Sequence, residues 1–286
     1  DRPFFLACGI FRPHLPWYAP KKYFDLYRLE DINLPALKEG DLNDVPEEGR
    51  KLAAFRRNDF IKIKDNGKWK EAIRAYLACI SFADAQLGRV LDALEESQYK
   101  ENTIIFFWSD HGWHFGEKNH WHKSTLWEEA TRIPFTVVAP GITKGGSTCS
   151  RTIDTLCIYP TLLELCNMEQ VKGLDGVSIV PLLKDPDMEW GIPAVSEFRR
   201  GQCSVRSERY RYIRYSDGSS ELYDHSKDPN EWRNLAGNKY ESIVKDLARY
   251  VPTKFTQNAP SKGSYEFDPN SYTWTNKKTG KKISSK

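Results

Sequence analysis

The chain has 286 residues, of which 40% are hydrophobic and 28% charged. This composition excludes global disorder and suits one large domain, or a domain with a small appendage. The net charge of +3 gives no reason to expect nucleic acid as a partner. No stretch approaches the ~18–20 apolar residues that a membrane-spanning helix needs. The six cysteines show no C-x-x-C pair and no zinc-knuckle spacing. Several of them lie in apolar segments, where buried free thiols are expected.

The N-terminal part of the chain predicts a strand and then an extended loop. Apolar residues at 4–9 are typical of a strand, and the absence of an initial methionine leads us to expect a missing upstream portion. Three prolines within residues 13–20 exclude a helix there. His14 lies between two of these prolines, directly after the predicted strand, and this placement favours an active-site role over simple packing.

The next part predicts an irregular excursion followed by a long helix. Residues 21–68 are charged and rich in turns, as in surface loops that form lids or bind substrate. Apolar residues recur at three- and four-residue spacing over residues 69–99 and predict a helix. A strand is predicted at residues 103–108, so helix and strand alternate as in an α/β sheet.

The stretch after this strand carries the strongest chemical signal in the chain. Asp110 and His111 follow the strand directly, four of the six histidines fall within residues 111–122, and Lys123 closes the loop. In α/β sheets, ligands bind at the carboxyl ends of strands. A carboxylate, imidazoles and a lysine at that position suit a polyanionic substrate bound together with a divalent metal.

Two kinds of metal site fit these residues, and the spacing does not decide between them. His111, His114, His120 and His122 could form a zinc cluster, because imidazole suits zinc. Alternatively, Asp110 and His111 join carboxylates from elsewhere around a hard cation such as Ca²⁺. The other three histidines would then line the substrate pocket.

The pattern beyond the histidines continues the α/β alternation. A helical turn is predicted at residues 124–130, a strand at 132–140 and a helix at 153–166. Asp154 is better suited to cap this last helix than to take part in catalysis.

The C-terminal part changes character. Four short segments between residues 194 and 223 predict an antiparallel meander, and a helix is predicted at residues 240–250. We therefore predict a main α/β domain at residues 1–190, a small antiparallel subdomain at 191–251 and a polar tail at 252–286.

An ordered series of motifs over about residues 1–240 resembles the sulfatase family of the alkaline-phosphatase superfamily, most closely its iduronate-2-sulfatase-like branch. The motifs are Pro3-Phe-Phe-Leu-Ala7, Arg12-Pro13-His14-Leu15-Pro16, residues 103–113, Gly116-Glu117, Lys123, Thr131-Arg132-Ile-Pro134, residues 154–162, Gly173-Leu-Asp-Gly176, residues 221–229 and Asn234-Leu235. The resemblance implies an alkaline-phosphatase-like mixed sheet flanked by helices, with a small C-terminal antiparallel-sheet subdomain.

The same resemblance implies hydrolysis of a sulfate ester on a carbohydrate, with Ca²⁺ on the sulfate and formylglycine as the nucleophile. Asp110 and His111 match metal ligands, Lys123 matches the lysine that bridges sulfate and nucleophile, and His14 matches a histidine that contacts the sulfate and assists the leaving group. Substrate contacts are expected at Trp17, Trp113, His114, His120 and His122. A periplasmic, secreted or lysosomal location is implied as well.

Three features depart from the family's pattern. Many sulfatases carry Asp-Asn where this chain has Asp110-His111. The C-x-P-S-R segment whose cysteine becomes formylglycine is absent, as are the paired N-terminal aspartates. We therefore expect the nucleophile on a missing N-terminal segment and no turnover by this chain alone. The alternatives are a phosphodiester or phosphonate hydrolase of the same superfamily and a non-catalytic module that binds sulfated glycans.

Overall fold

A computed structural model describes residues 2–55, 57–256 and 263–284. The α-helices are α1 (Lys21–Phe24), α2 (Glu47–Ala54), α3 (Arg57–Asp65), α4 (Trp69–Glu95), α5 (Glu128–Thr131), α6 (Ile158–Leu165), α7 (Val180–Lys184) and α8 (Glu241–Ala248). The strands are β1 (Ile105–Trp108), β2 (His114–Phe115), β3 (Trp121–His122), β4 (Phe135–Val138), β5 (Ala194–Glu197), β6 (Cys203–Arg206), β7 (Tyr210–Arg214), β8 (Ser220–Asp224), β9 (Tyr265–Asp268), β10 (Thr273–Asn276) and β11 (Lys282–Ser284). Among the described helices, none is both long and apolar enough to cross a bilayer.

The helix predicted at residues 69–99 and the strands predicted at residues 103–108 and 132–140 are confirmed. The long helix α4 buries Ile73, Ala78 and Cys79 and ends before the turn that leads to β1. Strand β1 pairs antiparallel with β4, with Phe106 opposite Val137. Asp154 accepts a hydrogen bond from the Leu156 backbone at 3.2 Å, so its predicted capping role is confirmed as well.

The strand predicted at residues 4–9 is not formed. This segment has no regular secondary structure and is exposed, and no strand in the described ranges pairs with it. A strand needs a neighbour to accept and donate its ladder hydrogen bonds, and the apolar sequence alone does not supply one.

The prediction of an irregular surface loop at residues 21–68 is wrong in part, because helices occupy much of this segment. Helix α2 starts after Pro46 with two glutamates in its first turn, a favourable arrangement at the positive end of the helix dipole. It buries Leu52 and Ala53, and α3 buries Phe60. Burial of these few apolar side chains stabilises helices whose sequences look mostly polar.

The predicted antiparallel meander is confirmed as a four-stranded sheet in the order β5-β6-β7-β8. Successive residues of a strand face opposite sides of a sheet. Accordingly, Tyr212 packs with Leu247 of α8, whereas its neighbour Ile213 packs with Leu52 of α2 and with Trp127. The sheet therefore shares a core with the histidine-bearing part of the chain.

The polar tail contains structure that the sequence analysis does not predict. Strands β9, β10 and β11 form a small antiparallel sheet, with Trp274 opposite both Phe267 and Ile283. Residues 257–262 and 285–286 of the tail lie outside the described residues. The domain boundaries at residues 190 and 251 stay predictions.

Candidate active site

A short hairpin carries the predicted histidines. Strands β2 and β3 pair with His114 opposite His122. The turn between them passes through Gly116 at φ 132°, where a side chain would be strained and a Cβ would lie 2.7 Å from the Phe60 ring. Glycine at this position therefore lets the hairpin lie closely against α3.

Asp110, His111 and Lys123 come together at the open end of this hairpin, opposite its turn. The His111 Nε2 atom lies 2.5 Å from Lys123 Nζ and 3.5 Å from Asp110 Oδ2. Asp110 is exposed, while His111 and Lys123 are half-buried. Gly112 follows with its amide donating to the Ala130 carbonyl at 2.8 Å, and a Cβ there would lie 2.0 Å from the Glu129 carbonyl oxygen. This close approach fixes the loop against α5.

The hydrogen bonds of His111 determine the tautomer of its ring and therefore which nitrogen can bind a ligand. Nδ1 lies 2.8 Å from the Gly112 carbonyl oxygen, so it carries the hydrogen, and Nε2 keeps its lone pair. That lone pair faces Asp110 and Lys123. A carboxylate and a neutral imidazole nitrogen side by side fit two ligand positions of a divalent cation. A single lone pair serves either the Lys123 ammonium or a cation, but not both.

The other three histidines do not converge with His111, which contradicts the four-histidine zinc alternative. His114 Nε2 lies 2.7 Å from Thr125 Oγ1, and His122 Nε2 lies 3.0 Å from Asp59 Oδ2. Both ring nitrogens of His120 face backbone carbonyl oxygens, that of Ala53 at 3.0 Å and that of Lys123 at 2.9 Å. Each ring is thus engaged with a different part of the chain.

His114 and His120 are closed to solvent, which departs from the expectation that they line a substrate pocket. Burial lowers the pKa of His114 well below its usual range, so this ring is neutral. Its Nδ1 atom has no hydrogen bond and lies 4.0 Å from Glu129 Oε2. Burial, together with the nearby carboxylates of Glu231 and Glu117, raises the pKa of Glu129 to about 8. We assign both histidines to the internal support of the loop.

Trp17 and Trp113 belong to an aromatic cluster that joins two parts of the site. Their ring centroids are 5.7 Å apart, and Trp113 lies 4.8 Å from the His122 ring. Trp121 and Tyr76 complete the contacts around Trp17. Trp113 is buried and Trp17 is partly buried. The cluster therefore fixes the loop of residues 11–20 beside the hairpin.

His14 projects from that loop into solvent. Its Nδ1 atom lies 2.6 Å from the Leu15 carbonyl oxygen, so Nε2 is the nitrogen left for a substrate. Arg12 bonds the carbonyl oxygens of His14 and Tyr18, and Trp17 Nε1 donates to the Pro13 carbonyl at 2.9 Å. The loop thus holds its own shape around an accessible imidazole.

Lys118, at the hairpin turn, supports the site and was missed by sequence reasoning. Its ammonium is buried, donates to Asp41 Oδ1 at 2.9 Å and to the Glu231 carbonyl oxygen, and lies 5.2 Å from the centre of the Tyr223 ring. It therefore links the hairpin to the segment before α2 and to the C-terminal sheet. Asp41 is 77 residues away along the chain, so no local pattern could reveal this pair.

A second set of charges lies between α5 and the C-terminal sheet. In the described ranges, Glu128, His225 and Glu231 are the one group of three potential metal ligands with donor atoms within 4.8 Å of one another. The buried Arg211 guanidinium already pairs with both carboxylates. Burial alone would raise the pKa of Glu231, but Arg211 and His225 outweigh it and lower the pKa to about 2. We assign this group to an internal ion network and not to a metal.

Comparison with known proteins identifies the relatives of the chain. The sulfatase family model matches residues 1–168, and a model described as N-sulphoglucosamine sulphohydrolase, C-terminal, matches residues 116–257. A sulfatase of Formosa agariphila is 42% identical, over 94% of this chain and 53% of its own length. The iduronate 2-sulfatase of Mus musculus is 35% identical over 49% of this chain and 27% of its own length.

Solved structures show the same fold. The protein BT4656, solved in complex with its substrate D-glucosamine-2-N,6-O-disulfate, has a TM-score of 0.68 at 23% identity and covers 84% of this chain and 62% of that one. The phosphonate monoester hydrolase of Agrobacterium radiobacter has a TM-score of 0.75 at 22% identity and covers 100% of this chain and 61% of that one. These likenesses confirm the predicted alkaline-phosphatase-like fold class.

The chain spans about half the length of the curated relatives it matches. The sulfatase model covers more than half of the chain, and the Formosa agariphila sulfatase matches it almost from end to end. The ordered motifs, the fold and these matches agree, and the chain belongs to the sulfatase family.

Proposed function

We propose that the protein carrying this chain is a sulfuric ester hydrolase that acts on a sulfated carbohydrate. The observation that carries the proposal is the contact of Lys123 Nζ with His111 Nε2 beside the Asp110 carboxylate. This places the Lys123 ammonium within reach of two metal-type ligands at the end of strand β1, and a metal cation bound on His111 Nε2 would leave that ammonium to face the sulfate. Such an arrangement suits the binding of a sulfate group, whose oxygens carry negative charge.

His14 and Lys123 are assigned different tasks in the reaction. When the bond between sulfur and the sugar oxygen breaks, negative charge develops on that oxygen. His14 Nε2, exposed on its rigid loop, donates a proton to it as a general acid. The Lys123 ammonium stabilises the charge on the sulfuryl oxygens throughout. Trp17 and Trp113 act by holding the His14 loop in place.

The residues of the chain fit one of the two groups expected with this site. Asp110 and His111 fit a divalent cation such as Ca²⁺, which when bound would neutralise charge on the sulfate oxygens. For formylglycine the chain offers no fitting precursor. Cys203, which starts a Cys-Ser-Val-Arg segment, is buried in β6, and burial raises the pKa of its thiol to about 11. We propose that the nucleophile lies on an N-terminal segment.

Exposed apolar surface supports the proposal of such a segment. Phe4, Phe5 and Leu6 are exposed, and so are Phe107 and Trp108 of strand β1. Aromatic and aliphatic side chains on a strand with one partner are usually covered in a complete α/β sheet. A further strand beside β1 would cover them and would bring the remaining metal ligands to the same edge.

The His14 assignment is tested with leaving groups of different acidity. In the full-length protein, His14→Ala should lower kcat/KM on a sulfated glucosamine by about 100-fold, because the sugar oxygen needs a proton. With 4-nitrophenyl sulfate the loss should be much smaller, since nitrophenolate leaves without protonation. An equal loss on both substrates, or no loss, would show that His14 is not the general acid.

The Lys123 assignment and the class of ester are tested together. Lys123→Gln should lower kcat by about 100-fold on sulfate esters, whereas Lys245→Gln on the exposed face of α8 should leave it unchanged. A matched pair of aryl sulfate and aryl phosphonate then separates the two enzyme classes. Faster turnover of the phosphonate would favour the alternative hydrolase, and turnover of neither ester would favour the non-catalytic glycan-binding module.

A further inference from the structure

The sheet of strands β9, β10 and β11 has two unlike faces. Because residues alternate along a strand and cross-strand partners share a face, Phe267, Trp274 and Ile283 lie on one side. The same alternation places Glu266, Asp268 and Lys282 on the other side. We call the first side the aromatic face. It contains no carboxylate among the residues of the three strands.

The aromatic face is open to solvent. Trp274 is 48% exposed, and Phe267 and Ile283 are exposed to a similar extent. The rings of Phe267 and Trp274 are 4.6 Å apart, and Tyr272 extends the group with its ring 6.2 Å from Phe267. Neighbouring strands are about 4.8 Å apart, so the face is about 10 Å wide. A group of mutually packed, exposed aromatic rings is typical of a binding surface.

Positive charge borders this face. The Asn276 backbone amide donates to the Lys281 carbonyl oxygen at 2.8 Å, which continues the pairing of β10 with β11. Lys281 therefore lies on the same side of the sheet as Trp274. Lys277 and Lys278 lie in the adjoining turn and are exposed. The carboxylates of Glu266 and Asp268 lie on the opposite side, away from these lysines. Apolar rings bordered by lysines complement a ligand with both flat hydrophobic surfaces and anionic groups.

We propose that the aromatic face binds a sulfated polysaccharide and holds it near the enzyme. The sugar rings would stack their C–H surfaces on Trp274 and Phe267, and the lysines would pair with sulfate groups. The proposal rests on the proposed function for the nature of the polymer. It concerns binding only, so it stands or fails separately from turnover.

The test measures binding of the intact protein to dextran sulfate, with neutral dextran as the uncharged counterpart. Trp274→Ala should raise the Kd for dextran sulfate by about tenfold, and Trp274→Phe should retain most of the affinity. Lys281→Gln should weaken binding several-fold and reduce its dependence on salt. Lys282→Gln is the matched control, because it removes the same charge from the opposite face and should have little effect.

Several outcomes would overturn the proposal. Equal losses in Lys281→Gln and Lys282→Gln would mean that only net charge matters. Equal binding of neutral dextran would exclude recognition of sulfate. If the protein dimerises and Trp274→Ala abolishes the dimer, the aromatic face binds a second copy of the chain. If Trp274→Ala lowers the Tm of the whole protein, the face belongs to internal packing. Loss of hydrolysis with unchanged dextran sulfate binding would count against the proposed activity alone.

Discussion

His120 holds the backbone of Lys123 from inside the protein, and this makes it a positioning residue. Its ring contacts the carbonyl oxygens of Ala53 and Lys123 and is completely buried. In His120→Phe, the polar contact with the Lys123 carbonyl oxygen is lost and the Lys123 backbone is free to shift. We expect kcat on sulfate esters to fall by roughly 10- to 100-fold, because small displacements of a catalytic group are costly.

A double-mutant cycle separates positioning from a general loss of stability. If His120 acts through Lys123, then His120→Phe should cost little further activity once Lys123→Gln is present. Full additivity of the two effects would contradict the positioning role. Circular dichroism at the assay temperature confirms that the compared variants are folded.

The site residues that could be predicted best from the sequence are those that lie near each other along the chain. Asp110, His111 and Lys123 fall in one loop after a strand, and the structure brings them to one point. The inward position of His114 and His120 could not be predicted. It depends on the packing of the hairpin against α2, α3 and α5, which the spacing of histidines does not encode.

At the scale of elements, buried Lys118 fastens the hairpin to the rest of the fold. Lys118→Met would leave the Asp41 carboxylate and the Glu231 carbonyl without their shared donor. We expect the free energy of unfolding to fall by about 3 kcal/mol, as measured by denaturant titration, because the remaining charge is buried and unpaired.

Two comparisons make this prediction specific. Lys51→Met breaks an ion pair with Glu48 on the exposed surface of α2 and should have a much smaller effect. Combining Lys118→Met with Asp41→Leu removes both charges and should recover part of the lost stability. An Asp41→Leu change that adds further destabilisation to Lys118→Met would argue against a direct pairing.

Elements with a clear periodicity were predicted well, and those that depend on distant partners were not. Helix α4 is visible in the sequence as apolar residues at three- and four-residue spacing. The four strands β5 to β8 are visible as short segments of strand composition separated by turns. Helices α2 and α3 bury so few side chains that their sequences read as polar loop. The segment at residues 4–9 shows the opposite case, since a strand-like sequence forms no strand without a neighbour.

For the whole molecule, Glu129 makes stability depend on pH. Burial raises its pKa in the folded state to about 8, from an ordinary value near 4.5. Between these values the folded state binds more protons than the unfolded state, so the free energy of unfolding falls as pH rises. Glu129→Gln removes this dependence. The variant should therefore be more stable than the wild type at pH 9, by at least about 1 kcal/mol.

The comparison at two pH values provides the control. At pH 5 the wild-type carboxyl is protonated in the folded state, and the two proteins should have similar stability. Glu164→Gln, at an exposed position of α6, should have the same free energy of unfolding as the wild type at pH 5 and again at pH 9. A constant difference between Glu129→Gln and wild type at both pH values would mean that Glu129 does not titrate in this range.

The buried ion network between α5 and the C-terminal sheet also restricts how chimaeric proteins can be built from this family. A graft that exchanges only the sheet after residue 190 brings in Arg211 and Glu221 without the groups they contact, Glu128 and the Trp127 indole. The recipient would then have to accommodate a charge buried without its partner. Exchanging residues 126–131 together with the sheet transfers these contacts and leaves Lys118 with Asp41, so recombination between relatives should succeed more often with both segments than with the sheet alone.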